Sequence, residues 1–320
     1  MADLATIKSR TAVAPCSTAN LGPGYDVFGL ALDALEDRVK ISTAPRQSKG
    51  SIQIKMVGGS QGIPAAVESN SAGLVVRRMA RDFGIDDGLQ VEVRKGVPAG
   101  YGLGSSAASA AAAALAFKEL YRLKIDTDSL VEYAAEGEIA SAGTKHYDNV
   151  SASIIGGFVV SSSSAGERRF IGIKPPSDLV LVAAVPVSMQ VPEKKTEVAR
   201  QVLPKEVSLR DVVHNVSSAS TVVAGFALND VEMIARGIDD VIVEPARKHL
   251  IPGYDAVRDK ALAAGALAVT ISGAGPSMIS FMKSGKKARL VAAAMLEGFA
   301  GAGLQSKTFV CRPSRGAHLV

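Results

Sequence analysis

The residues best suited to chemistry lie in one run, Pro98-Ala99-Gly100-Tyr101-Gly102-Leu103-Gly104-Ser105-Ser106-Ala107-Ala108. Glycines at 100, 102 and 104 let a backbone take positive φ and approach a ligand closely. Consecutive N–H groups can then turn inward as an anion nest. A small-residue helical pattern starts at Ser105–Ser106, and its first turn adds unpaired N–H groups and a positive dipole end. Such a loop can hold a polyphosphate without a lysine. The hydroxyl of Ser105 or Ser106 is placed to meet a metal or a phosphate oxygen. The spacing G-x-G-x-G fits neither G-x-x-x-x-G-K-[ST] nor G-x-G-x-x-G. The plain alternative is a glycine turn that packs a helix on a sheet; the serine pair favours phosphate.

Two further segments could join it. Ala14-Pro15-Cys16-Ser17-Thr18-Ala19-Asn20-Leu21-Gly22-Pro23-Gly24-Tyr25-Asp26 offers an amide at Asn20 and a charge at Asp26. Asn, Gly-Pro-Gly and Asp also make ordinary turns, and alone the segment reads as one. Ser272-Gly273-Ala274-Gly275-Pro276-Ser277 reads as a tight hairpin with exposed N–H groups.

In order, the three segments resemble the three motifs of the GHMP small-molecule kinases, and the match spans the chain. Within that family the sequence is similar to the homoserine kinases. Four stretches carry the narrower likeness: residues 17–26, Gly143-Thr144-Lys145-His146-Tyr147-Asp148-Asn149-Val150, Thr196-Glu197-Val198-Ala199-Arg200, and residues 244–252. The resemblance implies a two-domain α+β fold: an N-terminal α/β domain with the phosphate loop over residues 1–175, and a C-terminal α+β domain over residues 176–320. It implies transfer of the ATP γ-phosphate to the side-chain hydroxyl of L-homoserine, giving O-phospho-L-homoserine on the way to threonine. It also implies Mg²⁺ and a homodimer. One departure stands out. Family members often continue Asp-Asn-Val with Ala-Pro-Ala, where this chain has Ser151-Ala152-Ser153.

The resemblance places Asn20, Asp26, His146, Asp148, Asn149, Thr196, Arg200 and Arg247 around the acceptor. It places Asn70 and residues 98–108 on the nucleotide, and Ser106 and Glu138 on Mg²⁺. The chemistry agrees. Homoserine is a zwitterion with a free hydroxyl. Arg200 and Arg247 can bind a carboxylate bidentately. Asp26 and Asp148 can accept from an ammonium, while Asn20, His146 and Asn149 can orient the hydroxyl. Each has a plainer reading. Arg200 can be a solvated helix charge, His146 a structural histidine, Asp148–Asn149 a turn or cap, and Asn70 an N-cap. Glu138 can be a helix-surface charge beside Glu132 and Glu136. Asp148 is the candidate general base, with Asn149 beside it in the catalytic pair. Without a base, catalysis is positioning and electrostatics. A kinase for mevalonate, shikimate or a sugar is the main rival, but such acceptors give no reason for two ammonium-facing aspartates. A non-catalytic protein of the same fold is the rival from another class.

The elements that must position these residues follow from pattern. The chain has 320 residues, 47% hydrophobic and 21% charged, enough for a large core and too apolar for disorder. Strand alternation marks 37–43, 51–57 and Leu89–Lys95. Helical patterns cover 71–83, 105–122 and a segment capped by Asp126, Thr127 or Asp128 that ends near Ser141. Strands follow at 157–163, 169–173 and Leu179–Val185, then helices at 196–202 and 210–228. A hairpin joins 266–271 to 278–282, and a helix at 287–299 and a strand at 305–311 complete the pattern. Elements in runs favour α+β over a doubly wound sheet. The Ser161 to Ser164 patch reads as a strand end entering a turn.

Composition excludes other classes. There is no Trp, aromatics are 5%, and the net charge is +5, so nucleic-acid stacking platforms are not expected. Two cysteines, Cys16 and Cys311, make no zinc or disulfide framework. Residues 1–6 show no signal-peptide pattern, and no apolar run reaches the ~20 residues of a membrane span. The expectation is a cytoplasmic, globular enzyme with no membrane partner.

Overall fold

The computed structural model describes residues 8–44, 49–58, 62–164, 167–192 and 195–320. Residues 1–6 and the turn expected after Ser164 lie outside the described residues. A long hairpin comes first. β1 (Ser9–Asn20) and β2 (Gly24–Thr43) pair antiparallel, with Ser9 opposite Ser42 and Asn20 opposite Gly24. So most of the first motif is strand, and its turn is confined to Leu21–Pro23. β2 is long enough to serve two neighbours. Its Arg38–Thr43 end pairs antiparallel with β4 (Leu89–Lys95), which carries β3 (Ile52–Gly58) in parallel. Its Phe28–Leu30 end pairs with β5 (Phe158–Ser164), which carries β6 (Glu167–Ile173). β11 (His318–Leu319) returns to pair with β1, completing a seven-stranded mixed sheet.

β4 shows why sequence dictates register. Leu89, Val91 and Val93 are buried and alternate with exposed Gln90 and Arg94, the period of a strand with one face in the core. Lys95 falls on the inward register.

Among the described residues, the helices α1 (Ser71–Asp82), α2 (Ser105–Tyr121), α3 (Thr127–Ala135), α4 (Ile139–Ala142) and α5 (Tyr147–Ile155) accompany this sheet. α2 is alanine-rich on every side, and it lies buried against β1, β2, α1 and α5. A helix apolar all round is a core helix. Asp126 caps α3 by accepting from Ser129 N at 2.7 Å. The single helix expected to run to about Ser141 is instead broken. After Ala135 the chain tightens into a 3-10 turn, Glu136–Glu138, before α4. A Cβ on Gly137 would lie 2.6 Å from the Ala110 methyl and 2.8 Å from Ser71 O, so this turn presses against α2 and the start of α1.

The second sheet is antiparallel, in the order β10 (Lys307–Cys311), β7 (Leu179–Val185), β9 (Met278–Lys283), β8 (Ala268–Ile271). The helices α6 (Lys195–Gln201), α7 (Leu209–Ala227), α8 (Val231–Gly237), α9 (Val243–Arg247), α10 (Tyr254–Ala263) and α11 (Ala288–Gly301) accompany it. β7 is buried along its whole length. Val180, Val182 and Ala184 pack with α10 and α11. Leu179, Leu181, Ala183 and Val185 share a core with Val222 and Phe226 of α7, Ile234 of α8, and Leu30, Leu32 and Phe158 of the first sheet. One continuous apolar cluster therefore joins the two sheets. Cys16 and Cys311 both lie in it as free thiols. Among the described residues, no helix is long and apolar enough to cross a membrane.

Candidate active site

The three glycine-rich segments meet at one point. Residues 98–104 link β4 to α2, and the Ser272 to Ser277 loop links β8 to β9. Ser17 N donates to Leu103 O at 3.1 Å, and Gly273 N to Ala19 O at 3.1 Å. Asn20 Nδ2 donates to Gly273 O at 2.8 Å. Ser272 Oγ donates to Gly102 O at 2.7 Å and shares a hydrogen bond with Thr18 Oγ1 at 2.9 Å. Gly102 has φ +81°, and a Cβ there would lie 2.3 Å from Ser272 O and 2.7 Å from Gly275 O. Only glycine fits. Asn20 and Asp26 carry positive φ of 71° and 57°, and Asp26 N donates to Asn20 Oδ1 at 3.1 Å. Non-glycine residues in that region gather at functional sites.

These segments border a cavity of about 780 Å³. Ala99, Gly100, Gly102, Gly104, Ser105 and Ser106 line it. The other expected loop residues face elsewhere. Leu103, Ala107 and Ala108 are fully buried in the core, Tyr101 OH donates to Val187 O at 3.1 Å, and Pro98 is not among the lining residues. Asn70 lines the cavity and is also the N-cap of α1. Its Oδ1 accepts from Gly73 N at 3.2 Å and its Nδ2 donates to Pro64 O at 2.8 Å.

Beneath the loop lies a buried polar knot that the sequence reading missed. Lys95 Nζ pairs with Asp37 and donates to Ser105 O at 2.8 Å and Ser109 Oγ at 2.9 Å. Asp37 Oδ1 accepts from Gly96 N at 2.9 Å and Val97 N at 3.0 Å. The knot ties β2, β4 and the first turn of α2 together, fixing both ends of the phosphate loop. Burial pushes the Lys95 pKa down, while Asp37 opposes it. The available signal was a lysine on the inward register of a strand.

Two carboxylates border the cavity near Ser106. Glu138 is not the surface charge considered above: it is 5% exposed and makes a side-chain hydrogen bond with Ser106. The 3-10 turn faces it inward. Burial, and then Asp148, push its pKa up to about 7. Asp148 lies in the first turn of α5, 4% exposed, and accepts from Asn149 N at 2.7 Å. Burial and the nearby Asp26 raise it to about 7. Asn149 Oδ1 accepts from Ser17 Oγ at 3.0 Å. Ser106 and Glu138 are hard oxygen donors. They suit Mg²⁺, which keeps few protein ligands and completes its shell with phosphates and water. Among the described residues, no group of three or more His, Cys, Asp and Glu could form a full cage.

The remaining wall comes from α6, α9 and the first motif. Arg200 NH2 donates to both Asp26 oxygens, at 2.7 and 2.9 Å, and to His146 Nε2 at 3.1 Å. The guanidinium only donates, so His146 accepts through Nε2 and carries its proton on Nδ1. Burial and Arg200 together lower the His146 pKa. The Arg200 and Asp26 side chains are 37% and 43% exposed, so this pair is only partly buried. Arg247 is 4% exposed, donates through Nε to Ala199 O at 2.9 Å, and lies 5.1 Å from the Tyr25 ring centroid. Arg200 lies 5.4 Å from the same ring. Tyr25, unremarked in the sequence, is thus a common platform for both arginines. Thr196 and Lys195 of α6 also line this wall.

Family models agree with this architecture. The GHMP kinases N terminal domain matches residues 70–157, and the GHMP kinases C terminal model matches residues 222–301. The chain belongs to the GHMP kinase family. A homoserine kinase of Haloquadratum walsbyi is 38% identical over 97% of this chain and 99% of its own. The crystal structure of a homoserine kinase from Cytophaga hutchinsonii superposes with a TM-score of 0.90, 34% identity and full coverage of both chains. An L. major mevalonate kinase in complex with R-mevalonate superposes with a TM-score of 0.69 over 95% of this chain and 96% of its own. At 14% identity, that likeness is one of fold. GHMP membership accounts for the loop between β4 and α2 and for the α+β layers of both halves of this kinase.

Proposed function

We propose that this GHMP kinase transfers the γ-phosphoryl group of ATP to the side-chain hydroxyl of L-homoserine. One observation carries the reading most. The wall facing the cavity presents a cation–anion pair, Arg200 and Asp26, with a second buried cation, Arg247. That set complements a zwitterion: carboxylate to arginine, ammonium to aspartate. A mevalonate, shikimate or sugar acceptor carries no ammonium for Asp26 or Asp148 to receive.

Phosphoryl transfer needs little covalent help and much charge stabilisation and alignment. Backbone N–H groups between Ala99 and Ser106, where the loop enters α2, bind phosphate oxygens. Mg²⁺, when bound by Ser106, Glu138 and the nucleotide, neutralises phosphate charge. Asn149 and His146 orient the acceptor, with Thr196 beside them. Asp148 takes the hydroxyl proton. Its pKa near neutrality suits a proton acceptor. The hydroxyl oxygen forms a bond to γ-phosphorus, and the bond from γ-phosphorus to the bridging oxygen breaks, with its electrons leaving on ADP.

Free buried thiols fit a reducing, cytoplasmic home. A homodimer fits α7, where Leu209, Val213 and Val216 are 78%, 62% and 60% exposed along one stripe.

The test is ADP release from Mg-ATP with L-homoserine, L-serine, mevalonate, shikimate and galactose in parallel. Homoserine turned over at least a hundredfold faster than the rest supports the reading. Preference for an acceptor without an amine sinks it.

A further inference from the structure

Lys195 is the first residue of α6 and lines the same cavity as Gly100, Gly102, Gly104 and Ser106. Its Nζ donates to the carbonyl of Gly275. That carbonyl, together with Ser272 O, packs against Gly102, 2.7 Å from where a Cβ would stand. The amine is therefore held at the phosphate loop, although it arrives from the acceptor wall.

Its hydrogen-bond partner is neutral. Among the described residues, no carboxylate pairs with Lys195, and the charge that acts on it is another cation, Arg247. The hydrogen bonds of Arg247 go to the carbonyls of Ala199 and Gly273. Burial and Arg247 push the Lys195 pKa down to about 7. Two cations sharing one wall with neutral partners call for two anionic ligands. Arg247 sits over Tyr25, beside Asp26, on the amino-acid side. Lys195 is tied to the Gly275–Gly102 contact, on the phosphate side. An ammonium with one donor committed to a carbonyl keeps two for phosphate oxygens.

We propose that Lys195 is a catalytic residue that binds the γ-phosphoryl oxygens of ATP and stabilises the charge they carry in transfer. The residue moves no proton. It remains an ammonium while the acceptor oxygen bonds to phosphorus and ADP leaves. This inference rests on the kinase reading above for its acceptor, but not for its nucleotide.

The test compares Lys195→Met, Lys195→Arg and the parent with Mg-ATP and homoserine, together with calorimetric titration of Mg-ATP alone. Removing one preorganised donor costs roughly 10²–10³ in kcat. The expected result for Lys195→Met is a loss in that range, with the homoserine KM within about threefold of the parent. Lys195→Arg, which keeps a cation, should recover at least about tenfold over Met. The parent kcat/KM for ATP should fall above about pH 7, as the free enzyme's lysine loses its proton, and Lys195→Arg should lose that alkaline limb. Of the facing carboxylates Asp26, Glu138 and Asp148, the last two, raised to about 7, act in the opposite sense, since their loss of charge falls on the acid side. Arg200 and Arg247 stay charged throughout, and His146 charges only on the acid side. A Lys195→Met kcat within threefold of the parent overturns the proposal. So does a loss confined to homoserine KM, which would make Lys195 a carboxylate ligand. A parent that binds Mg-ATP but ignores homoserine sinks the acceptor reading instead. In that case, weaker nucleotide binding by Lys195→Met would uphold the phosphate contact, and unchanged binding would overturn it.

Discussion

Arg247 and Arg200 carry the same charge in different surroundings, so their truncations should differ. Arg247 is buried, and removing it exposes a ligand carboxylate to an uncompensated site. The expected cost is about 2–5 kcal/mol, or about 30- to several-thousand-fold in kcat/KM for homoserine. Arg200→Ala should cost less, because its pair with Asp26 is partly open to solvent and screened. Steady-state kinetics on both variants checks the order. Asp148→Asn separates proton transfer from positioning. A kcat loss of about 10²–10⁴ with a modest KM change supports a base. A large KM rise with kcat nearly intact leaves Asp148 as a ligand only. Glu138 gives a pH prediction. Its folded pKa is raised to about 7, above the ordinary carboxylate value, so the folded state holds a proton that the unfolded chain releases earlier. Stability is therefore lost as pH rises from about 4.5 to about 7. Glu138→Gln should match the parent near pH 4 and melt higher at pH 8, while activity drops. A lower melting temperature at pH 8 contradicts this.

At the scale of elements, legibility tracked pattern strength. Leu89–Lys95 was readable to the residue because apolar Leu89, Val91 and Val93 alternate with polar Gln90, Glu92 and Arg94. The α2 start at Ser105 was readable from glycine giving way to alanine. The first motif was not readable as strand, because its polar Ser17, Thr18 and Asn20 are buried against other loops and follow no solvent alternation. The break after Ala135 was hidden because its cause, the pressure of α2 on Gly137, is tertiary. The same holds for the site. Residues within the motifs were visible, whereas Lys95, Asp37, Tyr25 and Lys195 acquire roles only through neighbours far away in sequence. The Lys95 knot is itself testable. Breaking a buried pair by removing one partner costs about 3–5 kcal/mol. Lys95→Met should lose that much in urea unfolding and raise the KM for ATP, because both ends of the phosphate loop hang on Asp37. A loss under about 1 kcal/mol would mean that the loop is held by its own turns.

At the scale of the whole molecule, the far end of the sequence completes the beginning. His318 and Leu319 pair with Val13 and Ala12. Ala317 N donates to Ser153 O at 2.8 Å, and Gly157 N to Ser314 O at 2.8 Å. These bonds brace the last turn of α5, the helix that carries Asp148 and Asn149 at its other end. Such a chain is committed to a particular order of assembly during translation. A ribosome adding ~5–20 residues per second must make the whole second sheet before the first can acquire its edge strand. The N-terminal half therefore waits for many seconds as a nascent chain with an incomplete sheet, the state in which holdase chaperones find their clients. A fragment released at residue 175 should stay in that waiting state, and adding residues 176–320 as a separate chain is the way to learn whether it can still be rescued.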